Sequence, residues 1–529
     1  MHQQLVERTP AWSTPLLDHL SDRDRHLVQH YGQGLATALP ETHIHHAIER
    51  HAATHPDTVA AEHLGDTITY GELDRQANRL AVHLADLGVR PGDNVAVFVR
   101  RGIPMLVGIL AALKAGAAYV PQDVGLAPPT HLRHVVHAAS TRVILTVSTA
   151  TDRIPVPAGH HLVAVDTVMS PPLGHSPDRF VPAERPTRTG DNCYVLFTSG
   201  TTGRPNGVVV THRNVCNILL TAPGDLGIRP GWRVGQILNV AFDMAAWEIL
   251  GCLSHGATLV IRGQDVATVA QRVDALIATP TILSGLDPDR CEQLKVVAVA
   301  GEPCPRPLAD RWARRCAFYN ACGPTETTIV NTMHRHDVNA ARLTIGRPTP
   351  NNTVYVLDPA GRPCAIGEVG EMWAGGDCVS AGYLGNPALN AERYAPDPFL
   401  GGGRLMFRTR DLGRWTLDGQ LEHLGRTDDQ VKIRGFRVEL DSVSAVLESM
   451  PGCRRAATFK LDDRSLVSFV APRHIDPETA KQAVASALPY YCVPTAIYPM
   501  AALPETSRGK IDKAALLRLA TSEQWEQAA

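Results

Sequence analysis

Residues 194–214 say most about the fold, and they read YVLFTSGTTGRPNGVVVTHRN. An apolar strand, 194–197, runs into a loop rich in Thr, Ser and Gly, and a second apolar run, 207–210, leaves that loop. Glycines allow the close backbone approach that an anion-binding loop needs, and hydroxyls add donors for phosphate oxygens. It is not a Walker loop, because no Gly-Lys-Ser/Thr follows. This stretch alone leaves open a phosphate-binding loop or an ordinary surface loop.

The sequence around this loop has a mixed α/β pattern. A helical stretch, 70–87, ends at Gly88, and short apolar runs at 95–99 and 143–147 alternate with such stretches. This alternation predicts parallel sheets flanked by helices. A Pro-rich stretch, 171–186, predicts a surface loop between subdomains. The last hundred residues predict a small α+β domain, with helices at 442–449 and 477–488 and strands at 456–460 and 466–470.

Length and composition limit the class of protein. The 529 residues exceed the roughly 250–300 of a single core, so we expect two or more domains or subdomains. Lys and Arg number 51 against 53 Asp and Glu, a balance that argues against a nucleic-acid-binding protein. The 11 Cys are scattered without a CxxC pair, and the sequence shows neither a signal peptide nor an apolar membrane span. We therefore expect a cytoplasmic protein.

The N-terminal segment predicts a polar helical lead-in over residues 1–40, with Ser21 as the helix N-cap and Gly32 as its stop. His43, His45 and His46 follow it. A metal site is one interpretation of these histidines, but they lack partners at a recognisable ligand spacing. A solvated helix and loop is the interpretation that the sequence favours.

Further motifs follow one another in order along nearly the whole chain. They are ITYGELDRQANRLA (68–81), LKAGAAYVPQD (113–123), FDMAAWEI (242–249), NACGPTET (320–327), GEVGEMWAGGDCVSAGYL (367–384), FRTRDLGRW (407–415), GRTDDQVKIRGFRVEL (425–440), LPYYCVP (488–494) and LPETSRGKIDK (503–513). With the loop at 198–203, this series resembles the adenylate-forming superfamily, most closely the amino-acid adenylation domains of nonribosomal peptide synthesis. The resemblance implies an α/β fold with a large N-terminal region, 41–427, built from two αβ sheets and a smaller β subdomain. A small mobile α+β domain, 428–529, would follow it.

The resemblance also implies a reaction, in which a carboxylate attacks the α-phosphate of ATP and the acyl group then passes to a thiol. Such chemistry needs hydrogen-bond donors, cations and Mg²⁺ around the phosphates. The residues implied to contact the phosphates are Thr198, Ser199, Gly200, Thr201, Thr202 and Gly203. Further nucleotide contacts are implied for Asn320, Cys322, Asp411 and Arg426. Thr325 would contact the α-phosphate, and Glu326 would bind Mg²⁺. Lys510 would reach the substrate carboxylate, and Asp428 would be the hinge of the small domain. The Lys510→Ala variant should lose adenylation.

The resemblance places the substrate pocket as well. Asp243 aligns with the aspartate that pairs with the α-amine of an amino-acid substrate, which favours an amino acid over a fatty or aryl acid. The remaining implied pocket positions are Met244, Trp247, Ile277, Ala298, Ala300, Ala321, Ile329 and Val330. Apart from the Trp247 indole, these side chains offer no strong polar contact. We therefore predict a large, mainly apolar substrate side chain.

Several positions depart from the family pattern. Asn206 stands where Lys is usual, Cys322 where Tyr is usual, Arg410 where Gly is usual in Thr-Gly-Asp, and Ala245 where Ser is common. The Cys322 departure forfeits a ring stack worth roughly 0.5–1.5 kcal/mol. Arg410 or Arg204 could supply the positive charge that Asn206 lacks. We expect an active enzyme with a raised ATP requirement, and dependence on a small accessory protein of the MbtH type stays open.

The sequence leaves alternatives open for the acceptor of the acyl group and for the class of protein. The leading interpretation is a stand-alone amino-acid adenylating enzyme that loads the phosphopantetheine thiol of a separate carrier protein. A ligase that uses CoA or an amine, and a non-catalytic scaffold, are the alternatives. The tail after Lys510 is too short for a carrier domain of at least about 50 residues, and residues 20–34 resemble a linker of multimodular synthetases. The sequence therefore predicts a detached adenylation unit.

Overall fold

The structure, a computed structural model, describes residues 14–168, 188, 190–199, 205–428, 430–433, 436–504 and 511–521. The α-helices of this part of the chain are α1 (Asp22–Tyr31), α2 (Ile44–Thr54), α3 (Tyr70–Asp86), α4 (Ile103–Lys114), α5 (Pro129–Ala138), α6 (Val165–Val168), α7 (His212–Leu219), α8 (Asp243–Ser254), α9 (Val266–Ala270), α10 (Pro280–Ser284), α11 (Arg306–Ala313), α12 (Pro387–Arg393), α13 (Leu440–Glu448), α14 (Pro477–Ala487) and α15 (Lys513–Thr521). Short 3₁₀ helices span Thr14–Leu17, Ser148–Arg153, Pro288–Arg290, Thr325–Thr327 and Tyr490–Cys492.

The strands divide among several sheets. They are β1 (Val59–His63), β2 (Asp66–Thr69), β3 (Asn94–Val99), β4 (Ala118–Asp123), β5 (Val143–Thr146), β6 (His161–Ala164), β7 (Asn192–Thr198), β8 (Asn206–Thr211), β9 (Arg233–Gln236), β10 (Thr258–Ile261), β11 (Ala275–Ala278), β12 (Val296–Val299), β13 (Ala317–Cys322), β14 (Thr332–Arg335), β15 (Arg347–Pro348), β16 (Asn352–Leu357), β17 (Gly370–Gly376), β18 (Gly382–Tyr383), β19 (Tyr394–Pro396), β20 (Leu405–Trp415), β21 (Leu421–Arg426), β22 (Gln430–Ile433), β23 (Phe436–Glu439), β24 (Arg455–Asp462), β25 (Ser465–Ala471) and β26 (Ala496–Pro499).

Two large αβ sheets form the core of the chain. Over the described residues, one has the strand order β18-β8-β7-β4-β3-β5-β6, and the other has the order β15-β14-β13-β12-β11-β9-β10-β1-β2. Their central strands run parallel, from β7 to β6 in the first and from β13 to β1 in the second. Strands β11 and β12 are buried along their whole length, as expected for parallel strands covered by helices on both faces. The predicted parallel sheets flanked by helices are confirmed.

A smaller antiparallel subdomain is built from β16, β17, β19, β20 and β21. Helix α1 packs on it, because Val28 and Tyr31 belong to the same apolar cluster as Trp415. Ser21 caps this helix by accepting a hydrogen bond from the Asp24 amide at 3.1 Å, and Gly32 ends it, as the sequence predicts. The lead-in helix is therefore part of the core of the β subdomain.

The residues after Asp428 form their own small sheets. Strands β22 and β23 make a hairpin, and β24, β25 and β26 make a three-stranded sheet with α13 and α14 packed beside it. Two apolar clusters lie entirely within this region. The α+β pattern expected for the last hundred residues is thus present. The Pro-rich stretch at 171–186 lies outside the described residues.

The prediction of solvated histidines near the start of α2 is wrong. His43 and His45 are 2% and 5% exposed. Their rings lie 4.3 and 5.4 Å from the ring of His212 at the start of α7, because α2 and α7 pack together there. Burial lowers the pKa of His45 and of His212 well below the usual value, so both rings are neutral core groups. The described residues contain no group of His, Cys, Asp and Glu suited to a metal ion.

Two sequence-based expectations about the chain as a whole can be compared with the structure. All eleven cysteines are free thiols. Across the residues that the structure describes, none of the helices combines the length and apolar character needed to cross a bilayer.

Candidate active site

A cavity of about 680 Å³ lies where the two αβ sheets, the β subdomain and the hairpin β22–β23 meet. Residues that follow β11, β12 and β13 line it, among them Thr279, Ala300 and Gly323. Ligands of open parallel sheets bind outside the carboxyl ends of the strands, and the cavity opens at these ends. The sheet topology therefore places a binding cleft at this position.

The first residues of the Gly/Thr/Ser loop reach the cavity from β7. Strands β7 and β8 pair antiparallel, with Phe197 opposite Gly207, so the loop is the connection of a hairpin. Thr198 and Ser199 line the cavity. The Ser199 hydroxyl donates a hydrogen bond of 3.1 Å to the backbone carbonyl of Arg437, which belongs to β23. Residues 200–203 lie outside the described part of the chain.

The predicted ribose-binding carboxylate, Asp411, lines the cavity and is 7% exposed. Arg426 Nη1 donates to its Oδ1 at 2.6 Å, and His423 Nε2 lies 3.3 Å from the same oxygen. Burial alone would raise the pKa of Asp411, but the hydrogen bond with His423 and the charge of Arg426 outweigh it and lower the pKa. Arg426 also donates two hydrogen bonds to Asp428, of 2.8 and 2.9 Å. One arginine thus joins the predicted ribose and hinge residues.

Glu326 is completely buried and does not line the cavity. Arg437 Nη1 donates to both carboxylate oxygens of Glu326, at 3.0 and 2.9 Å, and the Tyr383 hydroxyl donates to Oε1 at 2.6 Å. Burial alone would raise the pKa of Glu326, but the charges of Arg437 and Arg393 and the Tyr383 hydrogen bond lower it to about 2. The residue is therefore ionised at neutral pH, and its partner is an arginine of the hairpin β22–β23.

Asp243 is the first residue of α8, and its carboxylate faces the cavity. Burial raises the pKa of Asp243, while a hydrogen bond with the Thr325 side chain and the charge of Lys432 oppose that rise. Lys432 comes from β22 and lines the same cavity, and burial lowers its pKa. A carboxylate in such a place needs a cation to compensate its charge.

The predicted substrate pocket is only partly assembled around this carboxylate. Met244, Ala300, Ala321 and Ile329 line the cavity with Asp243, whereas Trp247, Ile277, Ala298 and Val330 are fully buried and do not. The Trp247 indole N–H donates to the Gly224 carbonyl at 2.7 Å, so the one strong donor expected in the pocket is already bonded. The walls that remain are apolar.

Arg410, one of the two arginines that could supply charge at the phosphates, is paired elsewhere in the described arrangement. Its side chain forms ion pairs with Glu392 and Asp428 and does not line the cavity. Asn206 accepts a hydrogen bond from Asn386, so it too is bonded away from the cavity. The positive charges that do line the cavity near the phosphate loop include Arg437 and Lys432. Arg204 and Lys510 lie outside the described residues.

Comparison with known proteins gives the family. A family model described as AMP-binding enzyme matches residues 48–384, which is more than half of the chain. The chain belongs to this family of AMP-binding enzymes.

Three known proteins illustrate what this AMP-binding enzyme is similar to. It is 46% identical over 522 residues to Adenylate-forming reductase 03009 of Coprinopsis cinerea, covering 98% of this chain and 50% of that protein. It is 35% identical over 487 residues to Novobiocin biosynthesis protein H of Streptomyces niveus, covering 88% of this chain and 81% of that protein. A solved holo nonribosomal peptide synthetase (NRPS) protein containing adenylation and PCP domains, bound to a vinylsulfonamide inhibitor, matches with a TM-score of 0.79 and 26% identity, over 91% of this chain and 86% of that one.

These matches confirm the adenylate-forming superfamily and the α/β fold of an NRPS adenylation domain. The AMP-binding enzyme spans about half the length of the Coprinopsis protein that it matches.

Sequence reasoning missed Arg437 and Lys432, which line the cavity of this AMP-binding enzyme. Both belong to the motif at 425–440, in which the resemblance implies roles only for Arg426 and Asp428. The alternation of charged and apolar residues there was a signal for a two-stranded ribbon whose charged face meets the cavity. Tyr383, which binds Glu326, was missed as well, because it lies 57 positions away from its partner along the chain.

An aromatic cluster closes the hairpin side of the cavity. Phe242 comes from the turn before α8, and its ring centroid lies 4.9 Å from that of Phe436 in β23. Tyr491 stacks on Phe436 at 4.2 Å, and Tyr490 touches both rings. All four rings line the cavity. The hairpin is therefore held against the AMP-binding region by ring packing as well as by the Arg437–Glu326 pair.

We predict that the Glu326–Arg437 pair makes an acid-sensitive contribution to the free energy of unfolding. The folded pKa of Glu326, about 2, lies below its ordinary value of 4.5, so the contribution is complete above pH 4.5 and is lost as the pH falls toward 2. Its size is roughly 3 kcal/mol. Urea unfolding at pH 7 and pH 3.5 should show a larger loss for the natural protein than for the double variant Glu326→Gln, Arg437→Gln. Equal losses would contradict the prediction.

Proposed function

We propose that this enzyme activates an α-amino acid with a large, mainly apolar side chain as an aminoacyl-adenylate and then loads it onto the phosphopantetheine thiol of a carrier protein. In the first step a carboxylate oxygen attacks the α-phosphorus of ATP, and the bond to the β-phosphate breaks, releasing pyrophosphate. In the second step the thiolate attacks the acyl carbon, and AMP leaves. The observation that carries the amino-acid proposal is the Asp243 carboxylate on the cavity wall.

The position of Asp243 suits an α-ammonium group. Its carboxylate lies beside Thr325, next to the 3₁₀ turn that contains Glu326, so a bound amine there would place the substrate carboxylate near the nucleotide groups. A charged pair formed away from bulk water is strong when both partners are hydrogen-bonded, and an unpaired Asp243 is costly. A fatty or aryl acid would offer Asp243 no cation.

The walls beside Asp243 suit an apolar substrate side chain. Ala300 and Ala321 leave space, while Met244 narrows the pocket. Since the Trp247 N–H is bonded to Gly224, none of the described pocket positions presents a strong donor to a polar side-chain tip. These contacts support an aromatic or branched aliphatic amino acid.

The groups around the phosphate loop fit a nucleotide with Mg²⁺. Magnesium binds through one or two carboxylates together with phosphate oxygens and waters, so the single carboxylate of Glu326 beside the loop suits it. Bound there, the ion would neutralise charge on the triphosphate. Asp411 would accept hydrogen bonds from the ribose hydroxyls, and Asn320 and Cys322 line the cavity near it.

The arrangement that the structure describes excludes that nucleotide complex. Arg437 binds both oxygens of Glu326 with its side chain and accepts the Ser199 hydrogen bond with its backbone carbonyl. Glu326 and Ser199 are two of the groups proposed to hold the metal and the phosphates. The hairpin β22–β23 must therefore withdraw before ATP binds, and Asp428 is the proposed hinge. The described arrangement suits the transfer step, after pyrophosphate has left.

Hydroxamate formation over a panel of amino acids tests the substrate proposal, because hydroxylamine traps the activated acyl group. We expect the largest signal with aromatic or branched aliphatic amino acids. A clear preference for Asp, Lys or Gly would contradict it. Mass spectrometry of a holo carrier protein, with CoA and a simple amine as competing acceptors, tests the second step. Acylation of CoA or the amine in preference to the carrier would replace the carrier proposal with a ligase.

A second candidate concerns the fate of the activated acyl group. Two Coprinopsis cinerea proteins named adenylate-forming reductases are each 46% identical to this chain over nearly its whole length. This similarity favours a thioester that a reductase then consumes with a hydride donor. Adding NADPH to the loaded carrier and enzyme and analysing for aldehyde tests this candidate, and a carrier thioester that is not reduced would argue against it.

A further inference from the structure

Arg410 has a backbone conformation that its residue type disfavours. It lies within β20 with φ at +62°, in the left-handed region where a Cβ atom crowds the backbone and glycine is favoured. The strand is irregular there, because Trp373 of β17 pairs with Arg408 while Glu371 pairs with Leu412. A conformation of this kind persists only when surrounding contacts hold it in place.

The contacts that hold Arg410 run to the hinge. Its carbonyl accepts two hydrogen bonds from Thr427, from the amide at 2.9 Å and from the hydroxyl at 3.2 Å. Its Nη1 lies 3.6 Å from Asp428 Oδ2, and its other guanidinium nitrogen pairs with Glu392 of α12. The side chains of Arg410 and Asp428 are 24% and 15% exposed, so the pair is partly shielded from water.

Thr427 and Asp428 connect β21 to β22, and rotation of the small domain changes backbone angles at this connection. The ion pair from Arg410 to Asp428 has to break, or be remade, when that happens, whereas the hydrogen bonds to Thr427 lie on the N-terminal side of the hinge and fix the place from which Arg410 reaches Asp428. Arg426 already holds Asp428 with two hydrogen bonds, so Arg410 adds a second guanidinium to the same carboxylate. Each contact lowers the free energy of the arrangement that the structure describes.

We propose that Arg410 is a positioning residue that acts through Asp428 and stabilises the arrangement in which Arg437 is bound to Glu326. This inference rests on the proposed function, in which that arrangement excludes ATP with Mg²⁺. Arg410 therefore lowers the apparent affinity for the nucleotide by holding the chain in the arrangement that cannot bind it. A glycine at this position could adopt the backbone conformation but could not form the ion pair.

The test is a titration of Mg²⁺ and β,γ-methylene ATP, with energy transfer measured between one dye on each domain. The dyes are attached through unnatural amino acids, because the chain has 11 cysteines. Arg410→Ala and Arg410→Gly should both lower the half-saturating nucleotide concentration about two- to five-fold, the range for loss of a partly exposed ion pair. Thermal unfolding of each variant identifies any change that comes from loss of folding.

Two control variants separate the hinge contact from its surroundings. Arg408→Ala removes a neighbouring arginine of β20, whose two hydrogen bonds of 2.8 Å run to Glu371 and not to the hinge, and should leave the titration unchanged. Glu392→Gln removes the carboxylate of α12 that pairs with Arg410. It should lower the half-saturating nucleotide concentration less than Arg410→Ala does. If Glu392→Gln gives the full shift, Arg410 does not act through Asp428.

Three further results of the titration would overturn parts of the proposal. A shift in Arg410→Gly without one in Arg410→Ala would assign the effect to backbone conformation and overturn the role of the side chain. Domain movement in the natural protein with identical titrations for both variants would overturn the role of Arg410 alone. No change in energy transfer on adding the nucleotide to the natural protein would overturn the two-arrangement function itself.

Discussion

Replacing Glu326 by Gln is expected to lower ATP–pyrophosphate exchange by at least about 100-fold, the range for losing a group that stabilises charge on a transferring phosphoryl. The amide keeps the shape of the side chain but cannot offer Mg²⁺ an anionic oxygen. The same change removes the nearer of the two carboxylates that pair with the guanidinium of Arg437 and leaves it only Glu439, at 3.6 Å. Exchange assays and thermal unfolding of the purified variant measure the two effects.

A double variant separates catalysis from folding. Adding Arg437→Gln to Glu326→Gln removes the guanidinium that has lost Glu326 as its partner, so part of the lost stability should recover while exchange stays low. The single variant Arg437→Gln is expected to keep exchange, because it frees Glu326 for Mg²⁺. It should slow transfer to the carrier, because it loses the contact between Arg437 and Glu326 that holds the hairpin β22–β23 in the described arrangement. Exchange by the double variant at the natural rate would contradict the role of Glu326.

Replacing Asp243 by Asn is expected to raise the KM for the amino acid about 100-fold or more, since truncating one partner of a hydrogen-bonded charge pair costs several kcal/mol. The amide removes the negative charge that compensates the α-ammonium group. Steady-state exchange at varied amino-acid concentration measures this change. The KM for ATP should change much less, because the nucleotide contacts proposed for the phosphate loop and Asp411 remain.

The matching substrate change provides the control for Asp243. The desamino analogue of the preferred amino acid lacks the ammonium group, so the natural enzyme should use it poorly and the Asn variant should discriminate far less between the two acids. Met244→Leu alters a neighbouring cavity wall without changing charge and should leave the preference for the amine intact. An Asn variant that keeps the full preference would show that another group binds the amine.

Much of the fold and of the site could be predicted from the sequence because the relevant signals are local. The apolar strand that enters the loop at Thr198 and the order of the motifs lead to the sheets and to a cavity lined by Asp243, Thr325 and Asp411. Ser21 and Gly32 bound α1 as their residue types require. Each of these features depends on residues that lie close together in the sequence.

What the sequence could not predict depends on how distant elements pack. The Arg437–Glu326 pair joins residues 111 positions apart, and nothing in either motif indicates that the hairpin fills the site. The buried position of His43 follows from the packing of α2 on α7, which pattern alone does not reveal. The sequence suggests Arg410 as a source of positive charge near the phosphates. In the structure, the left-handed backbone conformation of Arg410 in β20 directs its side chain to Glu392 and Asp428.

Amino-acid-dependent exchange of labelled pyrophosphate into ATP is the most direct test of the central claim, that this chain adenylates an α-amino acid. The purified protein is incubated with ATP, Mg²⁺, labelled pyrophosphate and one amino acid at a time, with each desamino acid in parallel. The account predicts strong exchange with aromatic or branched aliphatic amino acids, weak exchange with their desamino analogues and none without a carboxylic acid. Equal exchange with the desamino acids, or no exchange with any amino acid, would contradict it.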